Sequence, residues 1–275
     1  MHRVEFSYGY QTAFSDGIVP VIKNWQNRPL KNTYVIIWLD TVHFNVRHNG
    51  LIQNRVIYSV LAITPDGKME VIGVYFADDE SSLYWQQVLN DLKRRGVKKI
   101  CIACIDNVKG FNTTIKKIFP GTKVQLCLAH LLRNSVKYLA WKDIKPFVND
   151  LKKIFTAKNA TLALTCFEVT EEKWNNEYAV IFKTWRNNWA SIIALYQYPP
   201  ALRKIIYSTY PIESYHRMIK RVTSTRGEFC FESTIVKKIY SEAVKGCTKW
   251  HGTIFNWGLV QNDLSEYFGE MEACL

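Results

Sequence analysis

The sequence has no apolar run long enough to cross a membrane, and its start, Met1-His2-Arg3-Val4, carries no signal-peptide pattern. Both absences argue against a membrane or secreted protein. The seven cysteines are odd in number and scattered over 275 residues, which makes no disulfide framework. A reducing cytoplasm is the expected setting. No internal repeat and no low-complexity tract interrupts the chain. Acidic residues are the scarce charge: 24 Asp and Glu stand against 36 Lys and Arg, a net charge of +12. That excess suits a polyanionic partner, because Lys and Arg that neutralise phosphates supply most of the non-specific affinity for DNA. A merely basic, well-solvated surface is the plainer reading of the same charge.

What is present is a globular composition, 48% hydrophobic and 14% aromatic, on a chain long enough for one large domain or two small ones. Its centre is Lys98–Asp106, where an Ile-rich apolar run stops at a carboxylate. Such a run reads as a strand buried on both faces. Asp106 then falls at the carboxyl end, where open α/β sheets collect ligands. Tyr34–Asp40 has the same shape.

Around these runs the chain reads in order. Ile18–Trp25 forms a short helix; Tyr34–Arg47, Leu51–Ile63 and Met69–Phe76 form an antiparallel meander turned at Asn49-Gly50 and Pro65-Asp66-Gly67. Asp78, Asp79 and Glu80 open a helix carrying Trp85, Val88, Leu89 and Leu92, which stops at Gly96. After the central strand come a helix marked by Val108, Phe111, Ile115 and Ile118, a strand Lys123–Cys127, and a helix with Leu128, Leu131, Leu132 and Ser135 on one face. This order predicts an α/β fold, a mixed sheet with flanking helices of the ribonuclease H-like kind. Residues 142–208 read as an all-helical insertion, with Trp174, Tyr178, Phe182, Trp185 and Trp189 at helical spacing and Pro199-Pro200 as a stop. Pro211 opens a further helix with Ile212, Tyr215, Ile219 and Val222 inward, and helices near 231–245 and 257–268 close the chain.

Asp40, Asp106 and Glu213 are a candidate carboxylate triad. Three such groups on one sheet edge suit Mg²⁺ (or Mn²⁺), which prefers oxygen ligands and shares substrate phosphates. Two ions together activate an attacking hydroxyl and stabilise a leaving oxygen. The bland alternatives are a strand-end or capping aspartate, and an i,i+4 pair of Glu213 with Arg217.

At these residues a resemblance enters. Trp38-Leu39-Asp40, Asp106-Asn107-Val108-Lys109-Gly110-Phe111, Gln125–His130 with Arg133-Asn134-Ser135, and Ile212-Glu213-Ser214 are similar to stretches of the Mutator-type family of bacterial insertion-sequence transposases. So are Asn27–Leu30, Phe119-Pro120, Tyr198-Pro199-Pro200 and Asn256-Trp257-Gly258-Leu259, all in order along the chain. The resemblance implies a DDE recombinase with catalytic and metal-binding Asp40, Asp106 and Glu213, dependent on two Mg²⁺ ions, cutting transposon ends and joining them to target DNA. It implies partners in double-stranded DNA and a homo-oligomer on that DNA, no membrane, and a nucleoid-associated place in the cytoplasm. The matching division is an amino-terminal helical remnant at 1–33, the core at 34–141, the insertion at 142–208 and closing helices at 209–275. Members carry a longer amino-terminal helical region, Gly where Asn107 stands, and Asn with a small residue where Tyr210-Pro211 stands. These departures leave a truncated, non-catalytic DNA-binding remnant, one that interferes with an intact transposase, as the alternative reading.

Cys127-x-x-His130 matches a signature of the family. With Cys101 and Cys104 it has zinc-like spacing, but strand alternation puts those two cysteines on opposite faces, and Cys127 reads as a small buried residue. His130, Arg133 and Lys137 form a polar stripe opposite the leucines, expected to meet phosphate or the scissile strand, with a solvated helix face as the alternative. Lys109, Arg217, Lys220, Arg221 and Arg226 are the other expected DNA-backbone contacts. Trp185 and Trp189 read as helix core, with base stacking as the alternative.

Overall fold

A strand whose two faces are both apolar can lie only where helices cover it on both sides. That is where β1 (Thr33–His48) and β4 (Lys99–Ile105) lie. The computed structural model describes residues 18–48, 51–106, 110–207, 210–223, 236–243 and 252–268, with the side chains of 18, 19, 47, 48 and 210–213 left out. β1 pairs antiparallel with β2 (Leu51–Ile63), and β2 with β3 (Met69–Ala77). On its other side β1 lies parallel to β4, and β4 parallel to β5 (Lys123–Leu126). The result is a five-stranded mixed sheet in the order β3-β2-β1-β4-β5. The Asn49-Gly50 turn lies outside the described residues.

One face packs Ile37, Leu39 and Ala103 under α2 (Ser82–Arg94) and α3 (Phe111–Ile118), through Trp85, Val88, Leu89, Leu92, Phe111 and Ile115. Asp78, Asp79 and Glu80 do not lie in the first turn of α2, as their charge predicts; they belong to the connection before it. The reason is the cap. Ser81 is extended and its side chain accepts from the Tyr84 N–H, so the helix begins after it. Asp78 instead pairs with Arg55 at 3.0 Å.

The other face carries Trp38, Ile36 and Cys104 against α1 (Ile18–Asn27), α4 (Leu128–Val136) and every later helix. The insertion is helical as expected: α5 (Trp141–Thr156), α6 (Ala160–Asn187), α7 (Trp189–Ile193), a 3₁₀ turn (Ala194–Gln197) and α8 (Pro200–Tyr207). Pro200 is a start rather than a stop, because a residue without an N–H and with fixed φ fits the first position of a helix. Tyr178 breaks α6 with a non-helical backbone (φ −131°, ψ 38°). Trp174, Phe182 and Trp185 are core; Trp185 stacks on Phe155 and Phe167 and donates to Ser135 Oγ at 2.9 Å, so its ring has no face left for a base.

α9 (Tyr210–Thr223) follows, then helical residues 236–243 and α10 (Trp257–Phe268). Trp257 explains one of the resembling segments. Its indole donates to Pro65 O at 2.9 Å and lies over Gly67, which has φ +76° in the β2–β3 turn. A Cβ on Gly67 would stand 2.4 Å from the ring, so only glycine lets α10 dock there. Among the described residues no helix is long and apolar enough to cross a membrane.

Candidate active site

In the parallel pairing of β1 with β4, Leu39 stands opposite Ile105, so Asp40 and Asp106 occupy the next positions on adjoining strands. Trp38 and Cys104, two residues earlier, are partners in the same register and pack in the same apolar cluster. By alternation both aspartates are assigned to that face. Asp40 is not at a strand end: β1 continues to His48, paired throughout with β2. The edge is made instead by β4 and β5, which stop at Ile105 and Leu126. Cys127 binds the end of β4 through its N–H to Ile105 O (2.7 Å) and is the first residue before α4, so that helix starts beside Asp106.

Asp40 is 3% exposed and is met from three sides. Its Oδ1 accepts the Thr41 N–H at 2.8 Å and touches His130 Nε2 from α4. Its Oδ2 lies 2.5 Å from His216 Nε2 of α9. Behind His216, Arg133 Nη2 lies 3.0 Å from Nδ1. That donation makes Nδ1 an acceptor and puts the ring proton of neutral His216 on Nε2, facing Asp40. Ser59 stands opposite Asp40 across β1 and β2, and its Oγ donates to Tyr215 Oη at 3.3 Å, which fixes α9 at this level of the sheet.

The charges follow from these contacts. Burial alone would raise the Asp40 carboxyl, but the bond to His130 and the charges of His216, His130 and Arg133 outweigh it and hold the carboxyl below its usual value. Burial would strip the proton from His130; the carboxylate and the Cys127 sulfur keep it there, with a pKa pushed up to about 11. His216 goes the other way, down to about 4, because burial is reinforced by the neighbouring Arg133 and His130 and only opposed by Asp40. One carboxylate is thus shared by a cationic and a neutral imidazole.

The donor set suits a hard divalent cation. Asp40 Oδ2 is buried and, beside the lone pair turned to His216 Nε2, keeps a second one that such an ion could take. Asp106 is the second carboxylate, on the adjoining strand. The side chain of Glu213 lies outside the described residues, but its backbone is in α9, one turn before His216. Among the described residues no group of three or more His, Cys, Asp or Glu is placed to hold a metal ion. Cys101, Cys104 and Cys127 are buried free thiols; Cys101 and Cys104 share one apolar cluster, which strand alternation did not predict.

The basic residues separate. His130, Arg133 and Lys137 do not form one exposed stripe: His130 is buried on Asp40, Arg133 is half-buried on His216, and Lys137 alone is exposed, donating to Asn134 Oδ1 at 2.8 Å. The helix rotates His130 and Arg133 toward α9, whose docking the α4 pattern does not reveal. Arg217, Lys220 and Arg221 are exposed on α9, while Lys109 and Arg226 lie outside the described residues. His216 was not among the expected site residues. Its spacing of three from Glu213, which places both on one helix face, is the signal that would have found it.

Comparison with known proteins identifies the family. The model of the Mutator family of transposases matches residues 1–252. A probable transposase of an ISRM3-like insertion sequence from Sinorhizobium fredii is 32% identical over 98% of this chain and 68% of its own length. The transposase of ISRM3 from Rhizobium meliloti is 31% identical over the same shares. Among solved structures, a Drosophila P element transposase strand transfer complex aligns with 90% of this chain and 70% of that one at 11% identity and a TM-score of 0.31, too slight a likeness to argue from. On the family match and the insertion-sequence relatives, the chain belongs to the Mutator family of transposases.

Proposed function

We propose that this chain is the catalytic part of a DNA transposase, with a ribonuclease H-like core, that cleaves DNA and transfers strands by phosphoryl transfer. The observation that carries the reading is the juxtaposition of Asp40 and Asp106 on neighbouring parallel strands. The sheet order, with three antiparallel strands followed by two parallel ones, supports the ribonuclease H-like assignment. Asp40 and Asp106 would hold Mg²⁺ together with Glu213, which α9 carries one turn before the His216 that already reaches Asp40. Bound there, the ions would supply Lewis-acid activation of a phosphodiester. The chain's own residues set the frame: His130 and His216 fix the Asp40 carboxylate, Arg133 orients His216, and Ser59 with Tyr215 holds α9 against the sheet. Duplex DNA is the substrate the charge of +12 favours.

The test is strand joining with Mg²⁺ on a pre-nicked element end. The wild-type chain is expected to join it, and Asp106→Asn to bind the same DNA without joining. Equal DNA binding by both proteins with no joining by either would leave a non-catalytic DNA-binding remnant.

A further inference from the structure

Asp106 has a second neighbourhood. It lines a cavity of about 370 Å³ between α4 and the second half of α6. Its lining combines apolar Leu126, Leu131 and Ile181 with the neutral polar groups of Asn134, Thr184 and Asn188. Lys137 and Tyr138 line the cavity as well, and the Tyr138 ring is 61% exposed. Three residues on, Trp141 leaves the indole 90% exposed at the start of α5, followed by exposed Lys142 and Lys145. Tyr138 thus offers an open ring face among the residues lining the cavity, and Trp141 a second one three residues along the chain.

We propose that this cavity and its aromatic rim hold unpaired nucleotides of the DNA strand presented to Asp106. The proposal rests on the DNA-processing reading above and names the form of the substrate. Size is the first argument: the cavity falls at the small end of ligand pockets, roughly 300–1,000 Å³, which suits a single ring-shaped group and excludes a duplex. Chemistry is the second. Apolar lining residues accept the face of a base, amides and hydroxyls meet its edge, and the Lys137 ammonium suits the phosphate that follows. The third is the combination of basic and aromatic side chains along one short segment, Lys137 to Lys145, which is how sequence-tolerant single-strand sites are built. The lining matters as well: it includes both the exposed Tyr138 ring and Asp106, so a strand lying in the cavity would bring its backbone to Asp106.

The experiment measures binding of the full chain, without divalent metal, to a blunt duplex and to the same duplex with a short single-stranded 3′ tail carrying 2-aminopurine. The tail is expected to tighten binding about tenfold, the scale of one stacked base, and to quench the fluorophore. Tyr138→Ala and Trp141→Ala, both at exposed positions, are expected to lose the preference and the quenching while binding blunt duplex as the wild type does. Thr184→Phe, which fills the cavity from an exposed position, is expected to do the same. Equal wild-type affinity for the two DNAs overturns the proposal, and so do variants that keep the preference. A change in association state alone, with the preference intact, would assign the aromatics to self-contact instead. Failure to bind either DNA removes the DNA reading itself, whereas tail preference without strand joining removes only the catalytic one.

Discussion

Asp40 shows what a single buried charge demands. Its carboxylate sits among Trp38, Val42 and the sheet core, where an unpaired ion costs several kcal/mol. The cationic His130 offsets that cost, and the neutral His216 completes the shell. The two histidines therefore differ in what they hold. His130→Ala leaves a buried carboxylate without its counter-charge and is expected to destabilise the chain by about 3–5 kcal/mol. His216→Asn keeps a side-chain donor and is expected to cost about 1 kcal/mol. Urea unfolding of the two variants checks this; equal losses would mean that the charge on His130 does not matter. Asp40 and Asp106 were legible in the sequence because each ends an apolar run, and a run of that kind has one natural place in a sheet. The imidazoles were not. His130 reads as one side of an amphipathic helix, and only the approach of α9, set by the contact of Ser59 with Tyr215, turns that side inward. That contact joins residues 156 positions apart, and no local pattern predicts it.

At the scale of elements, the insertion is tied together by Asp150 of α5. Its Oδ1 accepts from Lys153 at 2.7 Å, and its Oδ2 accepts from Lys173 at 2.8 Å and Trp174 Nε1 at 3.0 Å, both on α6. Burial is the largest influence on this carboxyl and pushes it up; the two ammonium groups and the indole together hold it well below the usual carboxylate range. A depressed carboxyl stabilises the fold fully above its unfolded value of about 3.9 and loses that contribution as the pH falls through the folded value. Asp150→Asn keeps the shape and removes the charge. The variant is expected to be about 1–3 kcal/mol less stable than the wild type near neutral pH, with the gap closing below about pH 4. Urea midpoints across that range decide it, and a gap unchanged by acid would show that packing alone matters. The helices themselves were legible from their apolar spacing. Their joints were less so: Pro200 reads as a stop because nothing in Pro199-Pro200 says which side the helix lies on. Asp78–Glu80 read as a helix start because charge preference is weaker than the capping bond of Ser81.

The whole molecule carries a charge of +12, and its consequence is independent of any one contact. Part of that charge is displayed by α9, where Arg217, Lys220 and Arg221 are exposed while Tyr215, His216 and Ile219 are buried. The helix that reaches Asp40 with one face therefore presents cations with another. If α9 is the element that both completes the site and receives the DNA backbone, its exposed cations contribute to binding without regard to sequence. Each neutralised phosphate releases counterions, so the logarithm of the binding constant falls with the logarithm of salt by about 0.9 per contact. Arg217→Ala and Lys220→Ala are each expected to weaken binding of unrelated duplexes by a similar factor and to reduce the salt slope by about 1. Neither should change the ratio of affinities between one duplex sequence and another. Titrations at several salt concentrations on two unrelated duplexes read both quantities. A slope that stays at its wild-type value in both variants would place the DNA on another surface, and α9 would then serve the site only from within.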